Sequence, residues 1–114
     1  MLTPETNERL LAALNAARPV TSRKMFGGVG IYHDGAFFAV IDDDRLFFKS
    51  DAETESVYDV EKAEQWIIPQ GPMPYREIGD AVLNDPVELG KRIDAAVGVF
   101  RRKQASKKPR RAKS

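Results

Sequence analysis

Between residues 20 and 49 the apolar positions of this chain follow a period of two, and on either side of that stretch they follow a period near 3.6. Three apolar runs, residues 28–32, 36–41 and 45–49, are separated by two short polar turns, Asp34-Gly35 and Asp42-Asp43-Asp44. That spacing predicts an antiparallel meander. The first strand is read from residues 20–25, where alternation places Thr21, Arg23 and Met25 on one face and Ser22, Lys24 and Phe26 on the other. In the last run Leu46 and Phe48 share one face and Phe47 and Lys49 the other. Phe37, Phe38, Phe47 and Phe48 thus supply apolar area to both faces, and a sheet with two apolar faces needs two covers. Helices provide one, and a second subunit is the candidate for the other.

The flanking patterns predict the helices. Thr3-Pro4-Glu5 reads as a helix start, with the Thr3 hydroxyl as cap acceptor and Pro4 where its missing N–H costs nothing. Leu10, Leu14 and Ala17 then mark one face, with Leu11 beside it, and Pro19 disfavours helical geometry at Arg18. Ser50-Asp51-Ala52-Glu53 has capping-box spacing and predicts a short helix through about Tyr58, with Val57 and Tyr58 against the sheet. Residues 65–68 and 74–78 read as strands joined through Pro69-Gln70-Gly71-Pro72. Asp85-Pro86-Val87-Glu88 opens a last helix, whose apolar face of Leu89, Ile93, Ala96, Val97 and Phe100 predicts an end near Phe100. Condensed, the order α-β-β-β-α-β-β-α is that of an α+β domain with a mostly antiparallel five-stranded sheet and covering helices.

The least generic stretch is residues 23–35. Asp34-Gly35 is a strong two-residue hairpin signal, because both residues tolerate positive φ. Gly27 and Gly28 suit a tight turn, and Gly30 inside a strand suggests a bulge or the close approach of another backbone. Two readings of the turn stay open: Arg23 and Lys24 join the free N–H groups of Gly27 and Gly28 as an anion cradle, or the turn is geometric and Arg23 pairs with a local carboxylate. A helix follows the glycines in known phosphate loops, whereas here a strand does. His33, the only histidine, flanks the hairpin turn with no serine and acid arranged around it, so it reads as a turn residue rather than a general base. The three adjacent Asp lack the spacing of a calcium loop and read as a solvated turn. Trp66 and Tyr75 are isolated aromatics, not interleaved with Lys or Arg, which suits core or interface groups better than base-stacking platforms.

Arg23, Met25-Phe26-Gly27-Gly28, Gly30, Tyr32, Asp34-Gly35, Phe38-Ala39, Leu46 and Lys49, followed by Met73-Pro74-Tyr75, resemble the N-terminal domain of the TfoX/Sxy family. The resemblance runs from about residue 23 to about residue 100. It implies the same α+β layout, similar to secretion-chaperone-like folds, which commonly pair as dimers. It also implies a regulatory role connected with natural DNA uptake, although members named as competence regulators carry a second domain, for which only the basic tail is expected here. The tryptophan that TfoX-like domains often carry early in the last helix is absent as well.

Charge divides the chain in two. Residues 1–100 hold ten Lys and Arg against all 17 acids, a net −7, while residues 101–114 hold the other eight cations, Arg101, Arg102, Lys103, Lys107, Lys108, Arg110, Arg111 and Lys113. The acidic body repels nucleic acid, so any non-specific DNA contact is expected in this tail, which reads as a disordered basic segment after a domain of residues 1–100. With no cysteine there are no disulfides, zinc-thiolate sites or thiol nucleophile, and a reducing, cytoplasmic setting fits. No run of about 18 apolar residues or basic-then-apolar leader is present, so no membrane association is expected. No paired acids, metal cluster or activated nucleophile stands out, and neither an enzyme nor a cofactor is expected. Two functional classes remain: a TfoX-like transcription or competence-type regulator that works through protein partners with a DNA-contacting tail, or a dimeric adaptor that binds a partner segment without nucleic acid.

Overall fold

The computed structural model describes residues 3–25 and 27–107, the side chain of Lys107 excepted. Helix α1 (Pro4–Ala17) starts at its proline and stops at Arg18, whose extended backbone leads into Pro19. The first helical hydrogen bond runs from Asn7 N–H to the Thr3 carbonyl. Contrary to expectation, the Thr3 side chain makes no cap. Its backbone N–H instead donates to Asp44 Oδ1 at 2.7 Å, tying the start of α1 to a distant turn.

Strands β1 (Thr21–Met25), β2 (Gly28–His33), β3 (Ala36–Asp42) and β4 (Arg45–Lys49) form the meander and its leading strand, and β5 (Gln65–Ile68) and β6 (Gly71–Glu77) add a hairpin. The sheet is antiparallel in the order β1-β2-β3-β4-β6-β5. It has six strands where five were expected. Gly27, at φ 78°, reverses the chain, so the residues before and after it pair as two separate strands, Met25 opposite Gly28. Asp34 (φ 52°) and Gly35 (φ 79°) make the expected two-residue hairpin, and Asp43 and Asp44, both with positive φ, make a second.

Between Ile31 and Tyr32 the β2–β3 register slips: Ile31 faces Ala39 and Tyr32 faces Phe37, leaving Phe38 as an extra residue. This bulge turns Phe38 and Ala39 to the same side, where both join the main core. That core lies between one face of the sheet and the helices. It contains Leu10 and Leu14 of α1, Phe38, Leu46 and Phe48 of the sheet, and Leu89, Ile93 and Ala96 of α4 (Pro86–Lys107). Gly90, buried in α4, leaves room for the Arg18 guanidinium, which forks onto Asp94 at 2.7 and 3.0 Å and so joins the two helices. Asp85 caps α4 as its sequence suggests, its Oδ1 accepting from Glu88 N–H.

The Ser50 cap does not form. Ser50 N–H donates to the Pro74 carbonyl, holding Ser50 extended beside β6 with its hydroxyl buried and without a hydrogen-bond partner among the described residues. A reciprocal pair of bonds forms one residue along and closes the turn before α2 (Glu55–Glu61), whose own N-cap, Thr54, makes no side-chain cap. Asp51 Oδ1 accepts from Glu53 N–H, and Thr54 Oγ1 accepts from Asp51 N–H. Tyr58 is buried between the Arg76 and Arg92 guanidiniums, whereas Val57, expected against the sheet, is 37% exposed. A one-turn helix, α3 (Asp80–Leu83), had no signal in the periodicity, and its Val82 and Leu83 are buried.

Helix α4 also passes its expected end at Phe100 and continues to Lys107. Val99 is still buried, and the two following arginines bond to the body. The rest of the expected tail, residues 108–114, lies outside the described residues.

Candidate functional site: a concave aromatic groove

Phe47 and Phe48 are successive residues on opposite faces of β4. Phe48 enters the main core, in edge-to-face contact with Phe38 at 5.2 Å. Phe47 enters a second cluster with Val40, Trp66 and Tyr75, against which Phe37, Ile68 and Met73 pack. All seven belong to strands, and no described helix covers this face.

The second face is concave. Trp66 Nε1 of β5 donates to Asp42 Oδ2 of β3 at 2.9 Å although β4 and β6 lie between them. In a flat sheet those strands would stand about 14 Å apart at the usual strand spacing. The sheet must therefore curl towards this side. Met25, from the opposite edge strand, borders the same small space as Trp66. The glycines of the distinctive stretch permit the curl and its filling. A Cβ on Gly28 would stand 2.3 Å from the Ile41 carbonyl oxygen, and one on Gly30 would meet the Met25 side chain at 2.5 Å and the Phe37 ring at 3.0 Å.

Inside the curl is a groove of about 500 Å3, lined by Phe37, Val40, Asp42, Trp66, Ile68, Pro69, Gln70, Met73 and Tyr75. Its rings form a connected series. Tyr32 meets Phe37 at 5.2 Å, Phe37 meets Tyr75 at 6.4 Å, and Tyr75 stands edge-on to Trp66 at 5.2 Å. At one end Lys49 Nζ lies 4.6 Å from the centre of the Tyr75 ring. Burial, with a lesser contribution from Tyr32, pushes the Tyr75 hydroxyl up to about 12. Beside the groove Arg45 lies over Phe47 and grips both oxygens of Glu77 and one of Glu64. Asp42 is the one acid in the lining, and it begins the Asp42-Asp43-Asp44 turn. The volume, the aromatic walls and the few polar groups are those of a binding site.

The residues singled out in the sequence separate into three places. Met25, Gly28, Gly30 and Tyr32 belong to the curled face, Gly27 to the turn before it and Asp34 and Gly35 to the hairpin, while Phe26 lies outside the described residues. Arg23 and Lys24 are exposed, and no ion pair is formed by Arg23 among the described residues. His33 is a turn residue with a tether, Nδ1 lying 2.6 Å from the Pro19 carbonyl. Arg101 and Arg102, assigned to the tail, are drawn onto the body: Arg101 to the Asp34 carbonyl and carboxylate, Arg102 to both oxygens of Asp51 and to Glu53. Lys103 is exposed on the same helical end; Lys108, Arg110, Arg111 and Lys113 fall outside the described residues, as does the Lys107 side chain. The described residues contain no group of three or more His, Cys, Asp or Glu arranged to hold a metal ion. No helix among them is long and apolar enough to cross a membrane.

The glycine stretch and the groove together occupy the segment that matches a family model described as TfoX N-terminal domain, which covers residues 11–99. The chain belongs to the TfoX N-terminal domain family. No curated protein matches it significantly. The TfoX N-terminal match begins inside α1 and ends at Val99, so it takes in every strand and every residue of the groove and stops where the basic end of α4 begins. What the sequence did not reveal is the groove as a unit. Trp66 and Tyr75 read as core or interface groups, but nothing in a linear pattern brings Asp42 to Trp66, because the curl that does so is made by a bulge and two glycine contacts.

Proposed function

We propose that this chain is a regulatory binding domain, a transcription- or competence-type regulator of the TfoX kind that acts in the cytoplasm through a protein partner rather than by catalysis. The family supports the regulatory class. The observation that carries the binding reading is the aromatic groove on a sheet face that no described helix covers. The partner segment lies in that groove, while the helix-covered face holds the domain together. Replacing Ile68 and Met73, partly buried at the cluster's margin, with glutamine tests this. Material co-purified from the native host, after nuclease treatment, should lose its specific partner while thermal stability stays within a few degrees. A partner retained by the double variant would refute the reading.

The second reading gives DNA a part through the basic end of the chain. Helix α4 carries Arg101, Arg102 and Lys103 beyond the family match, at the end of an otherwise acidic molecule. Two of these cations already bond to Asp34, Asp51 and Glu53, so phosphate must displace those carboxylates. Removing residues 101–114 should abolish duplex binding. Where most of the eight cations engage, log K should fall against log salt with a slope of about −4 to −7, from roughly −0.9 per neutralised phosphate. Homodimerisation through the same concave face is the alternative use of the groove, and light scattering across micromolar to near-millimolar concentration checks it.

A further inference from the structure

The sheet ends in two strands of different quality. β5 is four residues long and its register with β6 breaks between Gln65 and Ile67, so it offers little edge to another chain. β1 is the other edge. Its five residues pair with β2 in unbroken register, from Thr21 opposite Tyr32 to Met25 opposite Gly28, and no strand lies on its other side. Alternate N–H and C=O groups of β1 therefore face outwards, in the pattern that an added antiparallel strand completes. Thr21, Ser22, Arg23 and Lys24 are exposed, and Met25 is half-buried.

Charged side chains commonly guard an edge strand, and Arg23 and Lys24 do so here. The guard is selective. Neither cation forms an ion pair among the described residues, and residues 9–33 contain no acid that could supply one locally. Asp34 and Asp42, at opposite ends of the β2–β3 pair, are taken by Arg101 and Trp66. The net −7 of residues 1–100 acts from further away and is screened over about 8 Å at physiological salt. A second copy of β1 laid antiparallel about Arg23 would set Arg23 against Arg23, whereas an acidic strand meets no such repulsion.

We propose that the β1 edge accepts an extended segment of a partner protein that carries two consecutive acidic residues, one opposite Arg23 and one opposite Lys24. Met25 borders the concave face, so Arg23 two residues earlier shares that side and Lys24 takes the other. Backbone pairing supplies the fit and the two ion pairs supply the choice. No residue lining the groove belongs to β1, so this surface is separate from the groove and goes beyond its reading as a binding site.

Labelled peptides titrated into the full-length protein at physiological salt, with anisotropy as the readout, test this. One peptide has two central glutamates flanked by valine and threonine, and the other has two lysines in their place. The glutamate peptide should bind at least about tenfold more tightly. Arg23→Glu/Lys24→Glu should reverse that preference, and Arg23→Gln/Lys24→Gln, a milder change at the same exposed positions, should remove it with thermal stability unchanged. N-methylation of the glutamate peptide at alternate residues separates strand addition from loose ion pairing. One set blocks the N–H groups that face β1 and should abolish binding, while the other set should leave it intact. Ile68→Gln/Met73→Gln should also leave it intact. No binding up to millimolar concentration, equal affinity for the two peptides, a preference that survives the glutamine variant, or equal behaviour of the two methylated sets would overturn the proposal. So would loss of binding in Ile68→Gln/Met73→Gln, which would put the peptide in the groove, or a dimer that Arg23→Glu/Lys24→Glu dissolves, which would give the edge to a second copy.

Discussion

The two faces of the sheet use the same kinds of residue for different ends. On the helix-covered face, Phe38 and Phe48 lose all contact with solvent beneath α1 and α4, and nothing polar is offered to a ligand. On the concave face, Phe37 is half-buried, and a carboxylate, an indole N–H and a lysine ammonium are set among the rings. An alternating strand cannot by itself distinguish a core from a binding surface. Cover makes the difference: helices exclude water from one side, and curvature alone shelters the other.

The sharpest test of that contrast pairs two phenylalanines. Phe48→Ala should cost about 3 to 5 kcal/mol, the range for emptying a fully buried aromatic site. Phe37→Ala, on the half-open face, should cost about 1 to 2 kcal/mol, since less area returns to water. Denaturant melts of the two variants measure the difference, and equal losses would mean that the concave face is a second structural core.

Gly28→Ala is expected to come next, at about 2 to 3 kcal/mol. Its new methyl group would press on the Ile41 carbonyl, and backbone cannot rotate aside as a side chain can. Gly28 itself does not require positive φ, so the loss would come from crowding in the curl. A variant as stable as wild type would show that the sheet can flatten, and the groove with it.

An effect of at most about 2 kcal/mol is expected at high pH. Tyr75 is raised to about 12 in the folded chain and returns to an ordinary tyrosine value near 10 on unfolding. The folded state therefore holds its proton more tightly. The resulting stability is fully present below pH 10 and is lost as pH rises from about 10 to 12. Burial raises Tyr58 as well, so the test is the difference between wild type and Tyr75→Phe, which should lose one tyrosinate absorbance step in that upper range.

The smallest effect is expected at Ser50. Had the capping box formed, Ser50→Ala would cost about 1 kcal/mol. With the hydroxyl buried and unpartnered, the substitution should leave stability unchanged or raise it by up to about 1 kcal/mol. The sign of this change in a thermal melt separates the two accounts.

These cases also show which parts of the structure could be read from the chain. The Asp34-Gly35 hairpin, the start of α4 at Asp85-Pro86 and the stop of α1 at Arg18 were legible because each is set by a residue's own backbone preference. Leu46 and Phe48 against Phe47 followed from period two. Failures came where a distant contact outbid a local signal: Pro74 holds Ser50 extended, Asp44 takes the Thr3 N–H, and Asp51 with Glu53 holds Arg102 against the body as α4 runs on. The groove belongs to that second class, since Asp42 and Trp66 are 24 residues apart and meet only when the sheet curls.

The central claim, that the concave face binds while the covered face supports, is tested most directly by photo-crosslinking in the native host. A photoreactive amino acid is placed at Met73, on the margin of the groove cluster, and separately at Val60, which is 82% exposed on α2, a helix that contributes no residue to that cluster. The account expects a discrete adduct from position 73 that is lost with Ile68→Gln, and none from position 60. Equal labelling from both positions, or an adduct from Val60 alone, would contradict it.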